Sequence, residues 1–160
     1  MKILLLGCGG QVGWELRRSL APLGEVVALD HNTPGPAQAP ELKPDFTDPA
    51  QVAEIVRRVR PDVIVNSAAH TAVDKAEGEP EVARLINATT PGLVAQAAAE
   101  IGALLVHYST DYVFDGSGHA PRDEAAPTAP LNVYGQTKLE GEQLVQASGC
   151  RYLIFRTSWV

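Results

Sequence analysis

Apolar and polar positions along the chain form two kinds of segment, short continuous apolar runs and longer stretches with helical spacing. The apolar runs lie at 3–6, 25–29, 63–65, 104–106 and 152–155. Strands that are covered on both faces give such runs, because neither face of the strand meets water. The pattern therefore predicts five buried strands.

The stretches between these runs carry the 3.6-residue spacing of amphipathic helices. Val12, Leu16 and Leu20 share one face of a first helix, and Asp48–Pro49 is typical of a second helix start, with the acid as N-cap. Further helices are predicted at 79–87, 93–101 and 133–147. Thr90–Pro91 is expected to restart the helix, because proline fits only a first turn.

The segments 31–44 and 112–131 are rich in proline, glycine or alanine and are predicted to be loops. Everywhere else strand and helix alternate, which predicts one doubly wound α/β domain over residues 1–160. The expected fold class is a Rossmann-type parallel sheet with helices on both faces.

The net charge and the cysteine content limit which binding partners and which cellular compartment are expected. Thirteen basic residues against nineteen acidic ones give a formal net charge of −6, which argues against nucleic acid or an anionic membrane as the partner. Cys8 and Cys150 do not make a disulfide framework, so a reducing cytoplasm is expected. The apolar opening stops at Gly7, far short of the about 20 residues that a membrane span needs.

A glycine triplet follows the first predicted strand and opens the first predicted helix. Gly7, Gly10 and Gly13 have the spacing G-x-x-G-x-x-G. Bare backbone at such a turn lets a pyrophosphate approach, and the helix N-terminus offers it free N–H groups. A glycine-rich turn without a ligand is the simpler alternative, but the strand–turn–helix context favours a dinucleotide site.

Asp30 ends the second predicted strand, where a carboxylate usually accepts the ribose 2′-hydroxyl of NAD. It would repel a 2′-phosphate and no arginine follows it, which favours NADH over NADPH. The alternative is a turn aspartate that binds its own backbone. Two segments, Asp45–Phe46 and Asn66–Ala69, lie at or near later strand ends, and their residues are candidate contacts for adenine and ribose.

A Tyr-x-x-x-Lys pair stands near the start of the last predicted helix. The spacing places Tyr134 and Lys138 on one helix face, where the ammonium is expected to lower the phenol pKa. Tyr134 can then protonate a carbonyl oxygen as hydride arrives, with Lys138 on a cofactor ribose and Thr110 on the substrate oxygen. The alternatives are an exposed helical pair and a threonine that caps a strand end.

Four histidines, His31, His70, His107 and His119, are scattered without metal-ligand spacing. His107 is expected to be structural, buried in or beside a strand. Cys8 is expected to pack inside the glycine turn.

Together these motifs resemble the extended short-chain dehydrogenase/reductase superfamily and, within it, the dTDP-4-dehydrorhamnose reductase family. The stretches that carry the resemblance are LLLG at 4–7, GQVGWEL at 10–16, RPDVIVN at 60–66, AAHTAVDKAE at 68–77, HYSTDYVF at 107–114, PLNVYG at 130–135 and RTSW at 156–159. They run through essentially the whole chain. The family continues well past residue 160 into a substrate-binding part, so the chain is expected to bind NADH but to turn over poorly.

The resemblance implies NADPH- or NADH-dependent reduction of the C4 carbonyl of dTDP-4-dehydro-L-rhamnose to dTDP-L-rhamnose. It places Thr110, Tyr134 and Lys138 on catalytic positions. The implied cofactor contacts are Gly7, Gly10, Gln11, Val12, Gly13, Asp30, Asp45, Phe46, Ala68, Ala69, Thr71, Tyr134 and Lys138. The implied substrate contacts are Val73, Thr110, Asp111 and Trp159. Glu15 matches a glutamate that helps bind Mg²⁺ at the family's dimer interface, and a homodimer is expected of the full-length form.

Two other functions stay open on the residues. A sugar-nucleotide epimerase, dehydratase or other reductase would share the fold, but dehydratases typically carry Thr-Asp-Glu where this chain has Thr110, Asp111 and Tyr112. A non-catalytic NAD(P)-binding regulatory subunit would also share it. The intact catalytic trio argues against that second function, and the short chain argues for it.

Overall fold

The five predicted strands are present and form one parallel sheet. The computed structural model describes residues 1–33, 35–37 and 39–159. The strands are β1 (Lys2–Leu6), β2 (Glu25–Leu29), β3 (Val63–Asn66), β4 (Leu104–Thr110) and β5 (Arg151–Thr157). Their spatial order is β2-β1-β3-β4-β5, and every pair is parallel. Val160, the end of the predicted domain, and two positions of the predicted 31–44 loop lie outside the described residues.

In the described ranges, six α-helices connect the strands. They are α1 (Gln11–Leu20), α2 (Pro49–Val59), α3 (Val73–Gly78), α4 (Pro80–Arg84), α5 (Thr90–Ile101) and α6 (Val133–Ala147). Two predicted starts are confirmed by their caps, since the Asp48 side chain accepts the Gln51 N–H and the Asn132 side chain accepts the Gly135 N–H. Within the described residues, no helix combines the length and apolarity needed to cross a bilayer.

The apolar runs are continuous because both faces of the sheet are covered. Leu4 and Leu6 point into the larger core cluster, which α2, α5 and α6 complete, and Ile3 and Leu5 point into a smaller cluster against α1. Helices on both faces of a parallel sheet confirm the predicted fold class. At the edge, Leu153 and Phe155 of β5 remain 49% and 48% exposed.

The predicted restart of the helix at Thr90–Pro91 is wrong. Helical structure runs without a break from α4 through a π-helical segment, Leu85–Thr89, into α5. Pro91 has no N–H, and its ring would clash with a carbonyl four residues back in a regular α-helix. The wider π turn just before Pro91 accommodates both effects without ending the helix. Helix α3 was not predicted, because few of its residues are apolar.

The topology sets one edge of the sheet apart. Strand β1 lies between β2 and β3, so successive connections leave the centre of the sheet in opposite directions. In open α/β sheets this switch point leaves a crevice beyond the carboxyl ends of the strands. The turn after β1 and the loop after β3 therefore face each other across that crevice.

Candidate functional site

A cavity of about 420 Å³ opens at this crevice. It is lined by Gly7, Gly10, Gln11, Val12, Gly13, Asp30, His31, Asp45, Phe46, Thr47, Ser67, Ala68, Ala69, Thr71 and Ile86. Every residue predicted as a cofactor contact lines it except Asn66, Tyr134 and Lys138. One cavity thus collects residues that are up to 79 positions apart in the chain, from Gly7 to Ile86.

The three glycines of the turn are glycine for different reasons. Gly7 has φ +84°, which side chains rarely adopt, and a Cβ there would collide with the backbone of Ala68. A Cβ on Gly13 would collide with the carbonyl of Gly7. A Cβ on Gly10 would meet nothing closer than 3.6 Å and its φ is −75°, so the protein's own packing does not require glycine there.

The first turn of α1 presents free backbone donors to the cavity. Gly10 is the N-cap residue and provides no side-chain cap. The first N–H groups of a helix have no partner inside the helix, and the helix dipole makes this end partly positive. Gln11, Val12 and Gly13 supply those groups and all line the cavity. This end of α1 fits an anionic group.

Asp30 is a buried carboxylate that protein donors already hold. Its Oδ2 accepts the Gly9 N–H at 2.9 Å and its Oδ1 accepts the Asn32 N–H at 3.1 Å. The Nδ1 atom of His31 lies 2.9 Å from the same Oδ1. Asp30 therefore closes the turn after β2, as the turn interpretation predicts, and also forms part of the cavity wall. Its contact with a ribose stays a prediction.

Asp45 carries a second carboxylate in the cavity wall. Hydrogen bonds from the side chain and backbone N–H of Thr47, at 2.6 and 2.9 Å, lower the pKa of Asp45. The carboxylate is therefore ionised at neutral pH, and its charge is fixed in place by Thr47.

The predicted catalytic residues come from β4 and α6. Thr110 ends β4 and Tyr134 is the second residue of α6, whose close approach to the β4 end depends on Gly135. Burial raises the pKa of Tyr134, and a hydrogen bond with the Thr110 side chain opposes that rise. The Tyr134 ring also packs edge-on against Tyr112, with centroids 5.5 Å apart. The structure brings Thr110 and Tyr134 together.

Lys138 does not lower the pKa of Tyr134 in this structure, contrary to the expectation. Its side chain is buried, and its Nζ donates to the Tyr108 carbonyl oxygen at 2.6 Å. Burial lowers the pKa of Lys138 to about 8, although the Glu142 carboxylate opposes the shift. The ammonium is thus directed to the β4 backbone.

A buried ionic network lies one turn beyond Lys138 on α6. The Glu142 carboxylate accepts the Ser109 hydroxyl at 2.5 Å. It also accepts two N–H groups of Arg156 at 3.0 and 2.7 Å, so the pair is bidentate. The guanidinium also lies over the Phe114 ring, 5.1 Å from its centroid. These contacts tie α6 to β4 and β5 beneath Lys138.

The predicted substrate residues are not gathered in one cavity. Val73 is the first residue of α3, and Trp159 follows β5 with 90% of its surface exposed. Asp111 follows β4 and lines a second cavity of about 500 Å³, whose lining includes neither Val73 nor Trp159. Thr110, the fourth of them, is buried beside Tyr134.

The described residues do not by themselves fit a magnesium ion. Glu15 is exposed on α1 and forms an ion pair with Arg18 at 2.5 Å. No group of three or more histidine, cysteine or acidic side chains suited to a metal ion occurs in the described part of the chain. Glu15 as a metal ligand stays a prediction.

Several lining and supporting residues were missed. His31, Thr47 and Ile86 line the cavity without having been predicted, and the Glu142–Arg156 pair lies under Lys138. The position of His31 directly after Asp30 was the available signal. His107 and Cys8 are buried, as expected, and burial holds the pKa of His107 well below its usual value.

Known proteins match this chain along its whole length. The family model described as "RmlD substrate binding domain" matches residues 1–160. The dTDP-4-dehydrorhamnose reductase of Salmonella typhimurium strain LT2 is 59% identical over 160 residues, which is 100% of this chain and 52% of that protein. The protein of the same name from Burkholderia thailandensis is 48% identical over 100% of this chain and 50% of its own length.

Solved structures of dTDP-4-dehydrorhamnose reductases also match this chain. A dTDP-4-dehydrorhamnose reductase from Clostridium acetobutylicum superposes with a TM-score of 0.87 at 41% identity, covering 99% of this chain and 54% of that one. The Bacillus anthracis protein, solved in complex with NADP, gives 0.86 at 38% identity, covering 99% and 53%. The chain therefore spans about half the length of the relatives it matches.

Proposed function

The chain belongs to the family described as RmlD substrate binding domain, and from that membership we propose that it forms the cofactor-binding and proton-donating part of an NAD(P)H-dependent reductase. The proposed reaction is reduction of the C4 carbonyl of dTDP-4-dehydro-L-rhamnose to dTDP-L-rhamnose. The names of the relatives, and NADP in one of their structures, support this reaction and this cofactor class.

One observation carries the proposal. The glycine-turn cavity and the Thr110–Tyr134 contact lie beyond the carboxyl ends of strands in one sheet, the edge where ligands bind in this fold. A dinucleotide has two ends, and a reductase needs one end held and the other presented to a proton donor. This arrangement supports both tasks.

Gly10 supports a pyrophosphate at the start of α1. Packing requires glycine at positions 7 and 13. At position 10, which lines the cavity, a Cβ would have room in the protein itself. The free N–H groups at 11–13 would hold the phosphates, and Asp30, Phe46 and Ala68 would surround the adenosine. When bound, the nicotinamide ring supplies the hydride.

Tyr134 is the proposed proton donor to the substrate O4 atom. A phenol is protonated at neutral pH, as a proton donor must be. Burial raises the pKa of Tyr134, so proton transfer would depend on O4 becoming a strong base as hydride arrives. The Thr110 hydroxyl would donate a second hydrogen bond to O4 and stabilise the charge that develops there. Lys138 uses one N–H on Tyr108, and another would bind the nicotinamide ribose.

The rest of the substrate pocket is proposed to come from chain beyond residue 160, because this chain covers only 52% of the Salmonella typhimurium relative. The half-exposed Leu153 and Phe155 on β5 support further packing at that edge. Val73, Asp111 and Trp159 would contact the dTDP-sugar only once that part is in place, and a homodimer is proposed for the longer form. We propose no role for magnesium in the reduction, because the Glu15 carboxylate already pairs with Arg18.

The test is a pair of measurements on the parent protein and on Tyr134→Phe. Nicotinamide fluorescence should show NADH binding to both, with similar affinity. Oxidation of NADH by dTDP-4-dehydro-L-rhamnose, measured with the protein as its natural source makes it, should be lost in Tyr134→Phe alone. Absence of NADH binding would overturn the cofactor assignment, and unchanged turnover in the variant would overturn the proton donor.

A further inference from the structure

A histidine at the β2 end of the cavity lies next to one carboxylate and near a second. The Nδ1 atom of His31 is 2.9 Å from Asp30, and the imidazole also interacts electrostatically with Asp45. The ring packs edge-on against Phe46, with centroids 6.3 Å apart. All four residues line the same cavity.

Asp30 and His31 occupy different depths in the wall. The Asp30 side chain is only 7% exposed, and backbone N–H groups at positions 9 and 32 bind its two oxygens. The His31 side chain is 57% exposed. A ligand group that enters beside β2 therefore meets the imidazole before it meets the buried carboxylate.

The charges at the β2 end of the cavity are unfavourable for NADPH, which carries a 2′-phosphate, and not for NADH. Among the described residues that line the cavity, Asp30 and Asp45 are the acids, His31 is the one basic side chain, and there is no lysine or arginine. A phosphate monoester carries about −1.5 to −2 charges at neutral pH. Two carboxylates would repel it unless a cation lies between them and the phosphate.

We infer that His31 is the contact for the 2′-phosphate of NADP(H), and that its protonation selects between NADPH and NADH. This rests on the proposed function, since it takes the cavity to hold a nicotinamide dinucleotide. An imidazole gains its charge between about pH 8 and pH 5, and as imidazolium it donates from both nitrogens. One N–H then stays on Asp30 while the other binds the phosphate.

The carboxyl groups of Asp30 and Asp45 face the ring, and hydrogen bonds from Thr47 lower the pKa of Asp45, so that carboxylate stays charged in mildly acidic solution. Protonation of His31 therefore adds one positive charge next to the 2′-phosphate. NADH has a hydroxyl at that position, so its affinity depends much less on this charge.

The test is titration of the protein with NADH and with NADPH, followed by nicotinamide fluorescence, at about pH 6 and about pH 8. The ratio of the NADPH to the NADH dissociation constant should rise about tenfold at the higher pH, the size expected for one charge-assisted hydrogen bond. His31→Gln should keep a high ratio at both pH values, changed only by the titration of the phosphate itself. His31→Lys, which keeps a charge, should hold the low ratio at both.

His31→Gln also controls for titration of the phosphate itself, which gains charge as the pH rises and does so in every variant. If His31→Gln gives the same ratio as the parent protein at both pH values, the inference is overturned. A parent protein that does not bind NADH would overturn the proposed function instead, and the inference with it. The two failures are distinct, because NADH binding is read separately.

Discussion

The ammonium group of Lys138 donates a hydrogen bond to the Tyr108 carbonyl oxygen, and the two atoms are 2.6 Å apart. Lys138 is on α6 and Tyr108 on β4, so the bond fixes the helix to the centre of the sheet. The side chain is 2% exposed, and burial lowers its pKa from 10.5 to about 8. The charged form is therefore less favoured in the folded protein than in the unfolded chain.

Lys138→Met is expected to change how stability depends on pH. Between about pH 8 and pH 10.5 the unfolded chain binds more protons at this lysine than the folded protein does, so the free energy of unfolding should rise with pH. From about pH 8 to pH 9.5 the parent should gain about 1.5 kcal/mol relative to the variant. Urea unfolding at the two pH values measures this. Cys8 is present in both proteins, so its titration cancels when the parent and the variant are compared. Parallel curves of unfolding free energy against pH would contradict the prediction.

Glu142→Gln is expected to destabilise the fold. The Glu142 carboxylate is buried and binds Ser109 and Arg156, so an amide in its place leaves the guanidinium without a counter-charge. Removing one partner of a buried pair typically costs about 3 kcal/mol. Urea unfolding at neutral pH measures the loss. The variant should also lower the pKa of Lys138 further, because the Glu142 charge raises it.

Glu140→Gln is the matched control on the same helix. Glu140 pairs with Arg84 at 2.6 Å, but both side chains are much more exposed than Glu142. An exposed ion pair contributes at most about 1 kcal/mol. Equal losses in the two variants would show that burial of the Glu142 pair is not the cause.

Sequence patterns predicted the strands and the glycine turn because those features depend on neighbouring residues. A run such as 3–6 is apolar wherever a strand is buried on both faces. The π segment at 85–89 was not predictable in this way, because Pro91 was the visible signal and it also fits a helix start. Helix α3 has too few apolar positions to show a period.

Most residues that line the site could be predicted from the sequence. The contacts that these side chains make could not. The Tyr-x-x-x-Lys spacing correctly placed Tyr134 and Lys138 on one helix, but the position of the Lys138 ammonium depends on Tyr108, 30 residues away. The pairing of Glu142 with Arg156 depends in the same way on the distance between α6 and β5. Such distances are set by packing, not by spacing in the chain.

Thr110→Val is expected to raise the pKa of Tyr134 further. Burial already raises this pKa, and the hydrogen bond with the Thr110 side chain acts in the opposite direction. Valine keeps the shape of threonine and removes the hydroxyl. The phenolate absorbance of each protein, less that of the same protein with Tyr134→Phe, gives the midpoint. Thr110→Ser, which keeps the hydroxyl, should leave the midpoint near that of the parent, and a Val variant that matches Ser would contradict the assignment.

Gly10→Ala and Gly13→Ala are expected to fail in different ways. At Gly13 a Cβ collides with the Gly7 carbonyl. The variant should therefore lose about 1–3 kcal/mol of stability or more, as overpacked sites do. At Gly10 the Cβ has room and φ is −75°, so the free energy of unfolding should stay within about 0.5 kcal/mol of the parent.

The same Gly10→Ala variant should bind NADH at least about tenfold more weakly, because the new methyl group fills the place proposed for the pyrophosphate. Urea unfolding and NADH titration on one preparation separate the two effects. A folded Gly10→Ala protein with parental affinity would mean that the cofactor does not approach the backbone at this turn. The proposed orientation of the dinucleotide along α1 would then be wrong, even if NADH bound elsewhere at the sheet edge.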